Sequence, residues 1–339
     1  MYKYQSSQFM NFRSYVIFLG FLICHLSVFA ASFDCANAMT PREKIICQDP
    51  ELSALDAQLG SKYEERLQLL SPEGARLFRR SEHNWLHFIS MVCPIAQTSP
   101  SNPLDSPKYC LSREYKDRIS QLNMVGQKLG AFVFNRIDLY AAEPATDKSG
   151  WRHGFYYQHV AYPQIDNPTN SISKLWNKKV KKNLSSLGGC DGIYGDYDED
   201  YKIGYASDTV ISMSWLSSIY CHGTPHGFGG PTPVNIALLP VPHDLVSRDL
   251  FGPGQDWKPK LQALFMDGLR KEGWKLRSAG DSSRDLKIFT DPSRWLFTDK
   301  GIEVDFRVYE FCPHACAPDP VTVSWKSLKP LLHSTLAMP

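Results

Sequence analysis

Cysteine is the residue that most restricts what this chain can become. There are nine, at Cys24, Cys35, Cys47, Cys93, Cys110, Cys190, Cys221, Cys312 and Cys316. The first sits in a leader-like stretch, in which Lys3 and Arg13 are the only charges before an apolar run from Tyr15 to Ala30. That run is short for a membrane span, which needs roughly 20 apolar residues. Val28-Phe29-Ala30 supplies the small-residue pattern of a signal-peptidase site, so residues 1–30 are expected to be a signal peptide. An uncleaved anchor is the alternative, and cleavage leaves no membrane anchor. Cys24 follows Ile23 and Cys35 follows Asp34, neither of which suits lipid attachment.

Eight cysteines then remain, in two sets of four, and an even set on an exported chain reads as disulfides. Four cysteines allow three pairings, and sequence does not choose among them. In the early set Cys35–Cys47 and Cys93–Cys110 are favoured because each closes a short loop. The late set, Cys190, Cys221, Cys312 and Cys316, stays open. No thiol is left for nucleophilic work. The expected location is periplasmic or secreted.

Length and composition set the rest of the frame. With 339 residues, 43% hydrophobic and 21% charged, the chain has room for two globular domains. A formal charge of +2 provides no one-sign field to draw in nucleic acid or an anionic membrane.

The first half carries helix signals. Thr40-Pro41-Arg42-Glu43 is a capping box with proline at the first helical position. Asp49-Pro50-Glu51 and Ser71-Pro72-Glu73 repeat the cap-plus-proline start. Leu52, Leu55, Leu59, Tyr63, Leu67 and Leu70 then form one apolar stripe. Leu77, Phe78, Trp85, Phe88, Ile89 and Val92 form a second, and Leu111, Tyr115, Ile119, Leu122, Val125 and Leu129 a third. Gln97 to Pro107 is loop.

This spacing predicts an all-α domain over 31–130, a short helix and a helical hairpin with a further helix laid across it. A linker is placed at 131–150, where helical periodicity is lost and small and turn-forming residues gather.

Residues 151–339 alternate between strand and helix patterns. Strands are expected at Gly154–Val160, Thr209–Tyr220 and Pro233–Leu239, with a hairpin from Trp295 to Tyr309 and a last strand at Val321–Val323. Helices are expected at Asn170–Leu187, Trp257–Leu276 and Trp325–Leu332. The whole is therefore α+β: a disulfide-bonded helical domain followed by a mixed α/β-sheet domain with helices on one face.

Signals for chemistry are thin. Cys221, His222 and His226, with Cys312, His314 and Cys316, carry the donor types of a zinc or copper site. An oxidising compartment favours disulfides there instead. Asp196-x-Asp198-x-Asp200 opens like a calcium loop, but Tyr201 stands where glycine is needed and Ser207 where the distal glutamate belongs. Asp191, Asp196, Asp198, Glu199 and Asp200 are expected to form a solvated acidic turn, with an acidic patch that meets a basic protein partner as the alternative. Ser171-x-x-Lys174 lacks a companion Lys-Thr-Gly, and no metalloprotease, serine-hydrolase or phosphate-loop motif occurs. The reading is non-catalytic, with no cofactor and no metal; a hydrolase acting through a pair of carboxylates stays open as an alternative, because such pairing is spatial.

Two resemblances follow from these residues. Phe33-Asp34-Cys35-Ala36, Glu43-x-x-Ile46-Cys47, Asp49-Pro50-Glu51-Leu52 and Leu55-Asp56, followed by Arg80, Trp85, Cys93, Cys110, Tyr115, Arg118, Ile119 and Leu122, resemble the LprI-type lysozyme inhibitor domain over about 33–125. Ala161-Tyr162-Pro163-Gln164-Ile165, Tyr220, His222-Gly223-x-x-His226-Gly227, Arg248-Asp249-Leu250-Phe251, Tyr309-Glu310-Phe311-Cys312-Pro313 and Val321-x-Val323-x-Trp325 resemble the C-terminal domain of RsiV-type anti-sigma factors over about 155–335. Cys221 in place of the glycine-rich lead-in, and His314 in place of an aromatic, depart from that second pattern.

Both resemblances imply a lysozyme-type muramidase as protein partner, inhibited or sensed by docking, with the acidic patch as the alternative place for a basic lysozyme to meet. Peptidoglycan or glycan binding is the alternative. The partner-binding residues they imply are His222, Thr224, Pro225, His226, Pro313 and His314, on loops held by disulfides.

Overall fold

The computed structural model describes residues 31–93, 95, 106–145, 154–184, 190, 195–254, 256–273, 287–306, 319–333 and 336. The leader, and Cys312, Pro313, His314 and Cys316, lie outside the described residues.

After a 3₁₀ turn at Cys35–Asn37, four helices follow: α1 (Pro41–Gln48), α2 (Pro50–Leu67), α3 (Pro72–Val92) and α4 (Pro107–Leu122). Each begins with proline behind a capping side chain, which satisfies backbone N–H groups that the first turn leaves without helical partners. The Thr40 hydroxyl accepts from the Glu43 N–H while Glu43 accepts from the Thr40 N–H. Asp49, Ser71 and Ser106 cap the other three. Cys35–Cys47 and Cys93–Cys110 are bonded, as loop length favours. Phe78, Trp85, Phe88, Ile89, Tyr115 and Leu122 form the helical core, each worth about 1.5–3 kcal/mol when buried.

Helix α4 ends at Leu122, and Leu129 lies in a strand instead. The expected linker is likewise replaced. β1 (Gln127–Leu129) turns through Gly130, φ +56°, into β2 (Phe132–Pro144). β2 pairs with β3 (Phe155–Ile165) from Phe134↔Ile165 to Pro144↔Phe155. Helix α3 packs on β2, and Tyr140, Ala142, Phe155 and Tyr157 lie against the helical core. Alternation fails as a guide here because β2 buries both faces, leaving an unbroken buried run from Phe134 to Asp138.

β3 runs parallel to β4 (Gly195–Ala206), and a parallel pair needs a crossover, supplied by α5 (Ser171–Asn183). Asn170 caps α5, which buries Ser173, Trp176 and Val180 on a single stripe. β5 (Val210–Cys221), β6 (Phe228–Ala237) and β7 (His243–Asp244) complete a seven-stranded sheet in chain order.

A second, three-stranded sheet, rather than a continuation of the first, is made by β8 (Trp295–Phe297), β9 (Gly301–Val304) and β10 (Val321–Ser324). It shares a core with α6 (Ser247–Phe251), α7 (Trp257–Lys271) and α8 (Trp325–Leu328). Polar side chains join the two sheets: Ser212 Oγ accepts from the Phe297 N–H at 2.8 Å, and Asn235 Nδ2 donates to the Trp295 carbonyl at 2.7 Å. The architecture is α+β, helices first and a mixed sheet after. Among the described residues, no helix is long and apolar enough to cross a membrane.

Candidate functional site

The β5–β6 connection, Cys221 to Phe228, carries four of the six partner-binding residues implied by the sequence. Cys221, at the end of β5, is bonded to Cys190, which resolves part of the late pairing. Its sulfur is thereby removed from any metal site. His222 is buried, 6% exposed, so it does not offer itself to a partner. Its Nε2 lies 3.2 Å from Asp196 Oδ2, and its ring packs edge-on against Tyr156 with centroids 4.8 Å apart. It anchors the base of the loop.

Thr224 ties the turn together. Its N–H donates to the Cys221 carbonyl at 3.0 Å, and its hydroxyl reaches the carbonyls of Cys221 at 2.7 Å and His226 at 3.1 Å. The Tyr220 hydroxyl donates to the Thr224 carbonyl at 3.2 Å. Gly223, at φ +87°, makes the turn that a side chain would strain. Beyond this base Pro225, His226, Gly227 and Phe228 are exposed, and Phe228 keeps 55% of its surface in solvent. The tip therefore presents proline, imidazole and phenyl surfaces on a backbone that has little freedom left to lose.

A second cluster lies where the helices meet the sheet, and the sequence did not single it out. Arg118 of α4 is fully buried. Its Nη1 donates to Asp138 Oδ2 of β2 at 2.8 Å, and its Nε and Nη2 donate to Glu82 Oε2 of α3 at 3.0 and 2.9 Å. Arg136 Nε donates to Asp138 Oδ1 at 2.8 Å, and its Nη1 donates to Asp200 Oδ1 of β4 at 2.6 Å. Burial works to raise the Asp138 pKa, but Arg136 and Arg118 outweigh it and hold this carboxyl well below the ordinary range.

His159 of β3 sits between two carboxylates. Its Nε2 is 3.0 Å from Asp138 Oδ1 and its Nδ1 is 3.3 Å from Asp198 Oδ1. Ionised carboxylates only accept, so satisfying both contacts requires both ring nitrogens to donate, which is the imidazolium form. Burial pushes the His159 pKa down, but the bonds to Asp138 and Asp198 prevail and hold it above its ordinary value of 6.5. The ring stacks on Tyr140, with centroids 4.4 Å apart and planes 8° from parallel.

A cleft of about 290 Å³ opens beside this cluster. Trp85, Phe88, Tyr140, Arg118 and His159 form its inner wall, and Asp117, Gln121, Tyr157, Asp198 and Asp200 line its more open parts.

The expected acidic turn is thus largely strand β4. Its aspartates point to partners: Asp196 to His222, Asp198 to His159 and Asp200 to Arg136. An extended strand that has committed these oxygens does not wrap an ion as a calcium loop does. The signal available in sequence was Arg136-x-Asp138-x-Tyr140, polar residues at period two that follow Asn135 in a stretch otherwise apolar from Phe132 to Ala142.

No protein-family model matches the sequence, so both resemblances stay at the level of motif. No curated protein matches it either. Solved structures to which the chain shows some likeness include a DUF3298 family member from Bacteroides fragilis NCTC 9343. It is 16% identical with a TM-score of 0.43, over 61% of this chain and 96% of that one. A DUF3298 family protein from Pseudomonas aeruginosa PAO1 is 12% identical with a TM-score of 0.41, over 59% of this chain and 94% of that one.

Proposed function

We propose that this chain is a periplasmic or secreted, non-catalytic binding protein that docks a lysozyme-type muramidase through the Cys221–Phe228 tip. The observation that carries the reading is the contrast within those eight residues: an exposed end on a cross-linked, hydrogen-bonded base. Association costs translational freedom and the ordering of loops, so a tip already fixed in shape keeps more of its contact energy as affinity. Pro225, His226 and Phe228 have few rotamers to freeze and suit insertion into a substrate cleft. The choice of a muramidase rests on the two motif resemblances, and the three disulfides among the described residues fit an oxidising compartment.

The alternative, a glycan platform, calls for exposed aromatic rings. Among the described residues the tryptophans Trp85, Trp176, Trp215, Trp257, Trp295 and Trp325 are each buried, and the exposed rings Tyr109 and Phe228 do not form one flat platform of indoles, which supports the protein-partner reading. The test is a cell-wall turbidity assay with the mature chain against chicken-, goose- and invertebrate-type lysozymes, with direct binding measured alongside. At least one type is expected to bind and be inhibited, and His226→Ala combined with Phe228→Ala is expected to weaken that binding tenfold or more. Absence of both binding and inhibition with all three types ends the reading.

A further inference from the structure

We infer that the outer face of α5, together with the β6–β7 loop beside it, is a docking surface for an anionic lipid bilayer. This surface shares no residue with the Cys221–Phe228 tip, so it stands or falls apart from muramidase docking.

Charge makes the first part of the case. Helix α5 carries five lysines and no acidic residue over Ser171–Asn183. Its stripe of Ser173, Trp176 and Val180 is turned into the core, and helical spacing puts Lys174, Lys178, Lys181 and Lys182 on the opposite, exposed face. Lys179, at the edge of that face, is paired with Asp244 of β7 at 2.9 Å. Lys174, Lys178 and Lys181 have no acidic partner among the described residues. The negative end of the helix dipole accounts for cations in the last turn, Lys181 and Lys182, but not for Lys174 and Lys178. A chain-wide charge of +2 excludes a long-range field, not a local one. At physiological salt, charges farther away than about 8 Å are largely screened. A surface in contact with α5 therefore meets its lysines and little of the acid elsewhere.

Apolar exposure makes the second part. Leu239 and Val241 of the β6–β7 loop are 46% and 58% exposed, and Leu175 of α5 is 43% exposed. Asp244, the residue bound to Lys179, follows Val241 by three residues, which reach at most about 11 Å, so Val241 lies beside the basic helix. Pro240 and Pro242 bracket Val241 and limit the freedom that it can lose on contact. The acids of this corner are engaged: Asp244 by Lys179, and Asp249 by the Val246 N–H at 2.8 Å.

The two features together select the partner. Lipid phosphates take the lysines, and the acyl boundary beneath takes exposed aliphatic side chains to a depth of about 5–10 Å. An anionic glycan offers the charge but no place for Leu239 or Val241. β6 runs from Phe228 at the tip to Ala237 beside this loop, so the tip lies at the far end of the strand from the lipid, about 30 Å away.

The experiment sediments the whole mature chain with vesicles of phosphatidylcholine alone, or of phosphatidylcholine and phosphatidylglycerol in equal parts. Binding to the mixed vesicles is expected to be at least tenfold tighter than to the neutral ones. It is expected to be lost at about 1 M salt, where the screening length falls to about 3 Å. Each lysine at an anionic surface is worth roughly fivefold, so Lys174→Gln with Lys178→Gln and Lys181→Gln is expected to weaken binding about a hundredfold. Val241→Asp is expected to weaken it fivefold or more. The same charge change on the helical domain, Lys44→Gln with Lys108→Gln and Lys116→Gln, is expected to alter it less than twofold. All of these side chains are exposed, so the variants keep the fold. Equal binding to both kinds of vesicle, or equal losses in the two lysine triples, overturns the inference. So does full competition by soluble polyphosphate with Val241→Asp binding normally, an outcome that assigns the face to an anionic polymer. No muramidase is present, so no result here bears on the tip.

Discussion

The helix–sheet seam and the β5–β6 tip are both held rigid, but by opposite means. At the seam, Arg118, Arg136, Asp138 and His159 are buried charges satisfied by one another across α4, β2 and β3. At the tip, one covalent bond from Cys190 to Cys221 and a few loop hydrogen bonds hold a segment whose far end lies in water. The seam is fixed by native-state contacts and fails when any one partner is withdrawn, because the remaining charge is stranded in a poor solvent. A cross-link limits the unfolded chain and here also ties down the base of the tip, so its removal loosens the tip without stranding a buried charge.

The sharpest way to break the contrast is Asp138→Ala. It takes the shared, fully buried carboxylate from Arg118, Arg136 and His159, leaving each with one remaining acid (Glu82, Asp200 and Asp198), and is expected to cost about 3–5 kcal/mol in urea unfolding. A smaller loss is expected from Cys190→Ser with Cys221→Ser, about 3 kcal/mol in the same assay. That pair of substitutions is also expected to make the tip, but not the seam, newly open to protease and to hydrogen exchange.

A more modest effect separates the two regions by pH. The His159 pKa in the folded chain lies above its ordinary value of 6.5. Its contribution is complete below that ordinary value and is lost as pH rises through the folded value. Stability is therefore expected to fall as pH is raised above about 6.5, a slope that His159→Gln removes and the tip variants retain. The smallest effect is the control. Glu73→Ala deletes the exposed ion pair with Arg76 and is expected to leave the urea midpoint unchanged.

What the sequence revealed follows the same division. Helix starts and short-range cross-links are local in the chain, and Thr40 to Glu43, Cys35–Cys47 and Cys93–Cys110 stand where local reasoning puts them. β4 was obscured because Asp196, Asp198, Glu199 and Asp200 are residues that strands ordinarily avoid. What lets them sit there is the set of cations and rings opposite, brought in from β2, β3 and the end of β5. β2 was hidden in the expected linker because its support, helix α3, precedes it by some forty residues. His222 was expected at a docking surface and is an anchor instead. Its depth is set by Tyr156 and Asp196, which no local pattern connects to it.

The claim on which the functional account turns is that a pre-shaped tip delivers affinity. Calorimetry of the mature chain against the three lysozyme types, with and without the Cys190–Cys221 bond, tests it most directly. One-to-one binding to at least one type is predicted, together with a loss of tenfold or more in the double-serine variant carried by a less favourable entropy. Equal affinity for bonded and unbonded tips, or no binding to any of the three by the bonded protein, contradicts it.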